Sequence, residues 1–408
     1  MYQTNKQQLF QCVLDLKTIG TWLAVISCFS VAALGTAVTT ISTLTATTLW
    51  LITTNFSDCV KATKTNNFTL VAFLLFAYLG LSLFWTADIV EGLSFWKKYR
   101  EFILVIIFIS YFSQNNLRHY GLIALYAGMC LSLFISYLVY FGFIKTPPRH
   151  YAIDNDIFNG LLFSFLSYWS LNLALNYKKY RLLFIASFIF SLFSIFFIRE
   201  GRTGYIIFIA LTILFIVQHW KLKGLFVICL ITLAPAYFFL LNLLDLLHLS
   251  FESFTNFEKI DLDYLSELDI RLEYYINTIR TIGNHYLTGV GVGSFAFAYL
   301  ESHKMHVHFW PPVDNAHNEF FMIWVQTGLP GIILFLLFFI YLIKAACQLP
   351  PNQSQLAMAV IVTTGITCLF NSSILDANDG ALIMLLIALF FSQPSKKCPL
   401  QPKLCSVS

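Results

Sequence analysis

The sequence predicts an all-α polytopic membrane protein with about twelve transmembrane helices and one long loop outside the membrane. The 408 residues are 58% hydrophobic and only 11% charged, whereas soluble domains carry about 25% charged residues. The apolar residues form runs close to the length that crosses a bilayer. The net charge of +4 is spread over short loops and forms no basic face, so the sequence predicts no nucleic-acid partner.

Nine apolar runs come first and predict an N-terminal transmembrane bundle over residues 1–241. They lie near residues 18–35, 36–54, 68–86, 102–113, 119–144, 157–175, 182–198, 204–218 and 222–241. A second group over residues 319–393 contains three further runs, near 331–346, 355–374 and 380–393. Residues 394–408 are polar and predict a cytoplasmic tail.

The Lys and Arg residues predict the orientation of these helices. The predicted inner loops contain Lys61, Lys64, Arg118, Lys178, Lys179, Arg181, Lys221, Lys223 and Lys344. Positively charged loops stay in the cytoplasm, which places both termini inside and residues 242–318 outside. No cysteine occurs in the predicted outer loops, so no disulfide is expected there.

The segment from Asp314 to Gly331 places a histidine at the mouth of an apolar helix. Asp314 or Asn315 is a suitable N-cap, which would put His317 in the first helical turn. A helix start favours anions and a neutral imidazole, the form that a general base needs. The alternative is a histidine that merely caps a membrane helix at the interface. The glycines and proline of 328–331 predict a break in the helix.

Two arginine segments lie on the same predicted outer side. The first, Arg199-Glu200-Gly201-Arg202-Thr203-Gly204, is a charged break between two spans. Charge at a membrane edge indicates function, and the arginine fork suits phosphate; a hairpin with a snorkelling Arg199 is the alternative. The second is a predicted amphipathic helix that contains Arg271 and, further on, Arg280. Its alternative is an ordinary salt-bridged loop helix.

Two other patterns are weak metal candidates. Asp261 and Asp263 form an acidic pair of the kind that can hold a divalent cation against a diphosphate, yet paired acids in an acidic loop are usually solvated. His303, His306 and His308 lack an accompanying carboxylate or cysteine cluster. We therefore expect no metal and no cofactor. The glycine-rich turn at 288–294 is no P-loop, because no Gly-Lys-Ser/Thr follows it; it allows backbone to approach backbone or ligand closely.

Three motifs in this order resemble the O-antigen ligase/polymerase superfamily. Residues 201–204 resemble its Arg-Thr-Gly signature. Arg271 followed by the 288–294 turn and Phe295 resembles its second signature, and 316–318 followed by 328–331 resembles its His-Asn and Gly-Leu-x-Gly segment. The sequence departs from the family pattern in two places: Tyr286 replaces a frequent Pro, and Glu200-Gly201 replaces the usual Ser before the arginine.

The resemblance implies a GT-C-like, metal-independent, inverting glycosyltransferase on the periplasmic side of the bacterial inner membrane. Its partners would be membrane lipids, an undecaprenyl diphosphate-linked glycan as donor and lipid A–core as acceptor. By the family motifs, Arg202 and Arg271 would hold the diphosphate and His317 would act as the base. Supporting substrate-binding candidates are Arg199, Arg280, His285 and Asn318.

Several alternatives remain open at this level. The same superfamily includes O-antigen polymerases and protein O-oligosaccharyltransferases, and the modest size with a single long loop favours the ligase. A lipid-linked glycan transporter or flippase is the main alternative that is not an enzyme; its charges would lie near mid-bilayer, whereas here they cluster at the outer edge. A non-catalytic assembly scaffold is a third class.

Overall fold

The chain is an all-α polytopic membrane protein. A computed structural model describes residues 2–64, 66–113, 117–145, 155–198, 201–219, 267–303 and 313–392. All regular secondary structure in these ranges is helical. Eight helices among them are long and apolar enough to cross a membrane. The predicted span at 222–241, the Asp261/Asp263 pair, Arg199, His306, His308 and residues 394–408 lie outside the described residues.

Ten helices precede the long loop within the described ranges. They are α1 (Tyr2–Ala33), α2 (Thr36–Thr53), α3 (Phe56–Thr63), α4 (Asn67–Leu81), α5 (Ile89–Lys98), α6 (Glu101–Phe112), α7 (Leu117–Tyr140), α8 (Asp156–Asn176), α9 (Arg181–Phe193) and α10 (Arg202–His219). A 3-10 turn, Ser82–Trp85, continues α4, and a π-helical turn, Ser194–Ile198, continues α9.

The described ranges contain five further helices, two within the predicted loop at 242–318 and three after it. They are α11 (Glu267–Asn284), α12 (Phe295–His303), α13 (Glu319–Cys347), α14 (Pro351–Phe370) and α15 (Ala377–Phe391). The backbone of α13 leaves helical geometry at Gly328, where φ is 67°. The predicted break at 328–331 is therefore present, but the two parts of α13 continue one another across a kink.

The centre of the bundle is built from short or polar-lined helices that touch little lipid. Nearly every residue of α6 and α15 is buried, and α8 is the most enclosed of the eight candidate spans. A helix that is apolar all round is buried by its neighbours, which explains why α6 needs only the length from Glu101 to Phe112.

Helices from both ends of the chain share this core. α13 packs on α4, and α6 packs on α15. The Phe338 ring of α13 meets the edges of Phe68 in α4 and Phe102 in α6, with ring centroids 6.4 and 5.7 Å apart. Such edge-to-face pairs add to the burial of apolar area. The predicted C-terminal group at 319–393 is thus packed among the N-terminal helices.

A close helix crossing fixes the start of α10. A Cβ atom on Gly204 would lie 2.9 Å from the Cα of Gly160 in α8, so only glycine allows this approach. The Ser164 hydroxyl also donates to the Gly204 carbonyl oxygen at 2.9 Å. The glycine of the Arg-Thr-Gly motif therefore holds the helix that begins with Arg202 against the buried helix α8.

Candidate active site

His317 lies just before α13 rather than inside its first turn. The N-cap is Asn318, whose Oδ1 accepts from the Phe321 N–H at 3.1 Å. The predicted cap at Asp314 or Asn315 was wrong. Asn315 instead accepts from the N–H of His317 at 2.9 Å and closes a turn, in which His317 takes a left-handed φ of 50°. That turn sets His317 at the entrance of the helix, where the first N–H groups point outward.

Three helices meet at His317. The Tyr274 ring of α11 stacks on the imidazole, with centroids 5.6 Å apart and planes 15° apart. The Tyr275 hydroxyl donates to the carbonyl oxygens of His317 at 3.2 Å and Leu369 at 3.3 Å. Asn318 Nδ2 donates to the same Leu369 oxygen at 2.9 Å. These contacts tie the start of α13 to α11 and to the end of α14, so the half-buried imidazole is held in place.

The helix α11 carries Arg271 on the face that meets His317. Position 271 precedes Tyr274 and Tyr275 by three and four residues, and residues at this spacing share a helix face. The side chain of Arg271 lies outside the described part of the chain. Arg280 follows after nine residues, about 180° further around the helix, and its Nη1 donates to Asn277 Oδ1 at 3.3 Å. The structure therefore brings position 271, but not Arg280, to the His317 side.

Arg202 and His317 lie at the same end of the bundle. Near the other end of α10, Gln218 Nε2 donates to the Gln355 carbonyl oxygen at 3.5 Å, in the first turns of α14. α14 then crosses to Leu369, which contacts Tyr275 and Asn318 beside His317. Since α10 and α14 are both long and apolar enough to cross a membrane and share one end, the opposite end of α10 lies on the His317 side. There the Arg202 side chain is exposed.

The glycine-rich turn supports the kink of α13 through backbone hydrogen bonds. Its N–H groups at Val290 and Gly291 donate to the carbonyl oxygens of Val325 at 2.8 Å and Gln326 at 3.0 Å. In a continuous helix these carbonyls would accept from residues 329 and 330, but the Leu329 N–H donates to the Tyr286 carbonyl oxygen at 2.9 Å and Pro330 has no N–H. The turn therefore satisfies the polar backbone that the kink leaves open.

The other side of the turn rests on the corner between α4 and α5. Val292 N–H donates to the Ser82 hydroxyl at 3.1 Å, and the Thr86 hydroxyl donates to the Val292 carbonyl oxygen at 2.7 Å. The Ala87 N–H donates to the Ser294 hydroxyl at 2.8 Å. The glycine-rich turn is thus held between the N-terminal bundle and α13.

A buried carboxyl network lies directly below His317 and was not anticipated. Glu319 is fully buried; the Tyr99 hydroxyl donates to Oε1 at 3.1 Å and the Ile374 N–H donates to Oε2 at 2.9 Å. Gln326 donates to the Tyr99 hydroxyl at 3.0 Å and accepts from the Gly293 N–H at 3.1 Å. An acid within an apolar helix is costly unless it has partners, and that general rule is the sequence signal that points to Glu319.

Metal ligands are not grouped in the described ranges: no set of three or more His, Cys, Asp or Glu residues there is placed to hold an ion. The His303 side chain lies outside the described residues, as do Asp261, Asp263, His306 and His308. His285 is exposed at the C-terminal end of α11, away from His317.

A family model described as O-antigen ligase matches residues 185–336. No curated protein sequence matches the chain. The matched segment contains Arg202, Arg271 and His317, the glycine-rich turn and the kink of α13. Residues 185–336 of this all-α polytopic membrane protein are therefore similar to an O-antigen ligase domain.

Proposed function

We propose that this protein is an O-antigen ligase of the bacterial inner membrane that works on the periplasmic side. It moves O-antigen polysaccharide from undecaprenyl diphosphate to lipid A–core. The observation that carries the proposal is the junction at His317, where the start of α13 meets the face of α11 that bears position 271. Both parts lie within the segment that matches the O-antigen ligase model.

The chemistry follows from the charges that such a transfer creates. An acceptor hydroxyl oxygen attacks the anomeric carbon of the donor sugar, and the bond from that carbon to the diphosphate oxygen breaks with inversion. The hydroxyl proton passes to the imidazole of His317, which acts as general base. Arg202 and Arg271 stabilise the negative charge that builds on the leaving diphosphate.

The local packing suits a general base. A base is effective only when its nitrogen is held within reach of the proton that it removes. Tyr274 fixes the plane of the imidazole, and Tyr275, Asn315 and Asn318 fix the backbone around it.

Purified protein with a carrier-linked glycan tests the proposed acceptor. Two reactions are compared, one with lipid A–core and one with a second carrier-linked glycan. We expect extension of lipid A–core, as for a ligase. Extension of the second carrier-linked glycan alone would make the protein a polymerase. If neither acceptor is extended but the carrier-linked glycan crosses the membrane of reconstituted vesicles, the protein would instead be a flippase.

The arginines and the histidine divide the work between donor and acceptor. Lysine offers a point charge without the paired donors of arginine. We therefore expect Arg202→Lys and Arg271→Lys to lose about 10²–10³-fold in transfer rate. His317→Ala should lose about 10²–10⁴-fold but still bind the carrier-linked donor. The measurement is donor binding and single-turnover transfer by each purified variant.

Expression and membrane insertion of each variant serve as controls. Arg181→Lys is the matched arginine control, since Arg181 is exposed at the start of α9 and lies in a predicted inner loop. Near-normal transfer by His317→Ala would remove the base assignment. Full activity of both lysine variants would place the diphosphate site elsewhere.

We further propose that transfer needs no metal ion, because two arginines supply the positive charge that a cation would otherwise provide. Transfer should continue in EDTA, and Asp261→Ala combined with Asp263→Ala should keep most of the activity. The rate is measured with and without chelator. Loss in EDTA that added Mg²⁺ or Mn²⁺ restores would instead assign a metal role to the acidic pair.

A further inference from the structure

A groove of about 600 Å³ opens beside the glycine-rich turn, away from His317. Its walls are the segment just after α11, the glycine-rich turn itself, the helix α12 and residues 85–87, and its lining includes Trp85, His285, Phe297 and Glu301. The volume lies within the 300–1,000 Å³ range of small-molecule sites in proteins. None of these four side chains takes part in the contacts around His317.

The distance between groove and site follows from α11. Tyr274 stacks on His317 near the middle of this helix, and His285 lines the groove just past its C-terminal end. Eleven residues of α-helix rise about 16 Å. A ligand in the groove would therefore lie well beyond the atoms that react at His317.

The lining combines exposed rings with polar groups. Phe297 is 69% exposed and Trp85 is 37% exposed. His285 and Glu301 are exposed in the same groove. A groove that served only lipid tails would not need an acid and a histidine.

We propose that this groove binds sugar residues of the glycan substrate, several units away from the reacting end. The flat C–H face of a sugar ring packs on an aromatic face. Its hydroxyls can donate to the Glu301 carboxylate and exchange hydrogen bonds with the His285 ring. The inference rests on the proposed glycosyl transfer, and it extends it: the protein recognises the glycan chain and not only the diphosphate and the acceptor hydroxyl.

Such a remote site contributes binding energy without touching the chemical step. Its loss should raise KM for a long glycan and leave kcat nearly unchanged. A glycan too short to reach the groove should be transferred equally well by the wild-type protein and by groove variants.

The experiment measures binding of free oligosaccharides to the purified full-length protein in detergent. The two probes are the core oligosaccharide and a fragment of the O-polysaccharide, each released from the lipopolysaccharide of the source bacterium. Phe297→Ala and Trp85→Ala should weaken binding of at least one probe by roughly three- to tenfold. Phe84→Ala is the matched control, because Phe84 neighbours Trp85, is 87% exposed and does not line the groove.

The probe that binds identifies the source of the sugar: the core oligosaccharide indicates the acceptor and the O-polysaccharide fragment indicates the donor. Failure of both probes to bind the wild-type protein, or equal binding by wild type and both groove variants, would overturn the groove. His317→Ala should bind the probes normally. Intact probe binding by a wild-type protein that transfers nothing would leave the groove standing and remove the proposed function.

Discussion

Gly289 is required both by its own backbone and by its neighbours. Its φ of 68° lies in the left-handed region, which costs an L-residue about 1–2 kcal/mol. A Cβ atom there would also lie 2.6 Å from the Gln326 carbonyl oxygen and from the Gly328 nitrogen. These are rigid backbone atoms, so no side-chain movement could relieve the clash.

Gly289→Ala should therefore destabilise the protein by about 2 kcal/mol or more. The turn would move off the α13 kink, and transfer should fall with it. Gly283→Ala is the control: Gly283 lies in α11 with no atom within 4 Å of the added methyl. There alanine should stabilise by up to about 1 kcal/mol. The thermal midpoint in detergent measures both, and an unchanged midpoint for Gly289→Ala would contradict the clamp.

At the same scale, the N-cap shows where reasoning from sequence stops. Asn315 and Asn318 are both good caps, and the residue types do not choose between them. Asn318 makes a contact that local sequence does not reveal: its side-chain amide donates a hydrogen bond to the carbonyl oxygen of Leu369 in α14. The sequence motif predicted that His317 lies near the start of α13. That it lies just before the helix, and not in its first turn, is seen only in the three-dimensional structure.

The element that organises the site is α11. One face carries position 271, Tyr274 and Tyr275 toward His317, and its C-terminal end reaches the groove through His285. The Arg271 motif was predictable from the family resemblance, whereas the two tyrosines were not singled out. The helical spacing of three and four residues after Arg271 was the available signal.

Two substitutions of Tyr274 separate the role of its ring from the role of its hydroxyl. Tyr274→Phe keeps the ring that stacks on His317 and should retain most transfer. Tyr274→Ala frees the imidazole to turn, and we expect transfer to fall about tenfold or more, because misplacement of a catalytic group by about 1 Å costs up to 10²-fold. The pH profile of transfer should change shape only in the alanine variant, since only there does the environment of the base change. Donor binding should be equal in both. Equal transfer rates for Phe and Ala would show that the stack has no positioning role.

The spans were predictable because long apolar runs must cross the bilayer or be buried. Hydropathy could not tell these two outcomes apart. The run at 102–113 has the composition of a span, yet it is the short helix α6, enclosed by its neighbours. The helix α13 begins earlier than the run at 331–346, because Glu319 and Gln326 are polar residues that the core satisfies.

At the scale of the whole molecule, α13 runs from one end of the helix bundle to the other. Its 29 residues rise about 43 Å, more than the hydrocarbon thickness of about 30 Å. The end at Glu319 holds the site, and the end at Cys347 lies on the opposite side. The distribution of Lys and Arg predicts that the site faces the periplasm.

Single cysteines in a cysteine-free background test this orientation. Asn284→Cys is exposed at the end of α11 and should react with a membrane-impermeant thiol reagent when the outer membrane is permeabilised. A protein that retains only Cys347, which is also exposed, should react only after the inner membrane is opened. Labelling of Cys347 alone in intact inner membranes would reverse the orientation.

Contacts across great sequence distance were the least predictable part of the fold. Tyr99 and Glu319 are 220 positions apart, and neither residue carries a local pattern that identifies the other. Many buried pairings are compatible with the same set of apolar runs. The segment order and the motif positions follow from sequence, while the pairing of the two halves requires the three-dimensional structure.

The clamp on the glycine-rich turn also limits how this protein can be recombined. Ser82, Thr86 and Tyr99 all lie before residue 185, where the family match begins, yet they hold the turn and Glu319 in place. Residues 185–336 therefore depend on contacts with residues outside the matched segment. A chimera that exchanges residues 185–336 with a homologue would set foreign backbone against these three side chains. A chimera that takes the α4–α5 corner and Tyr99 from the same homologue as residues 185–336 would keep these contacting residues matched.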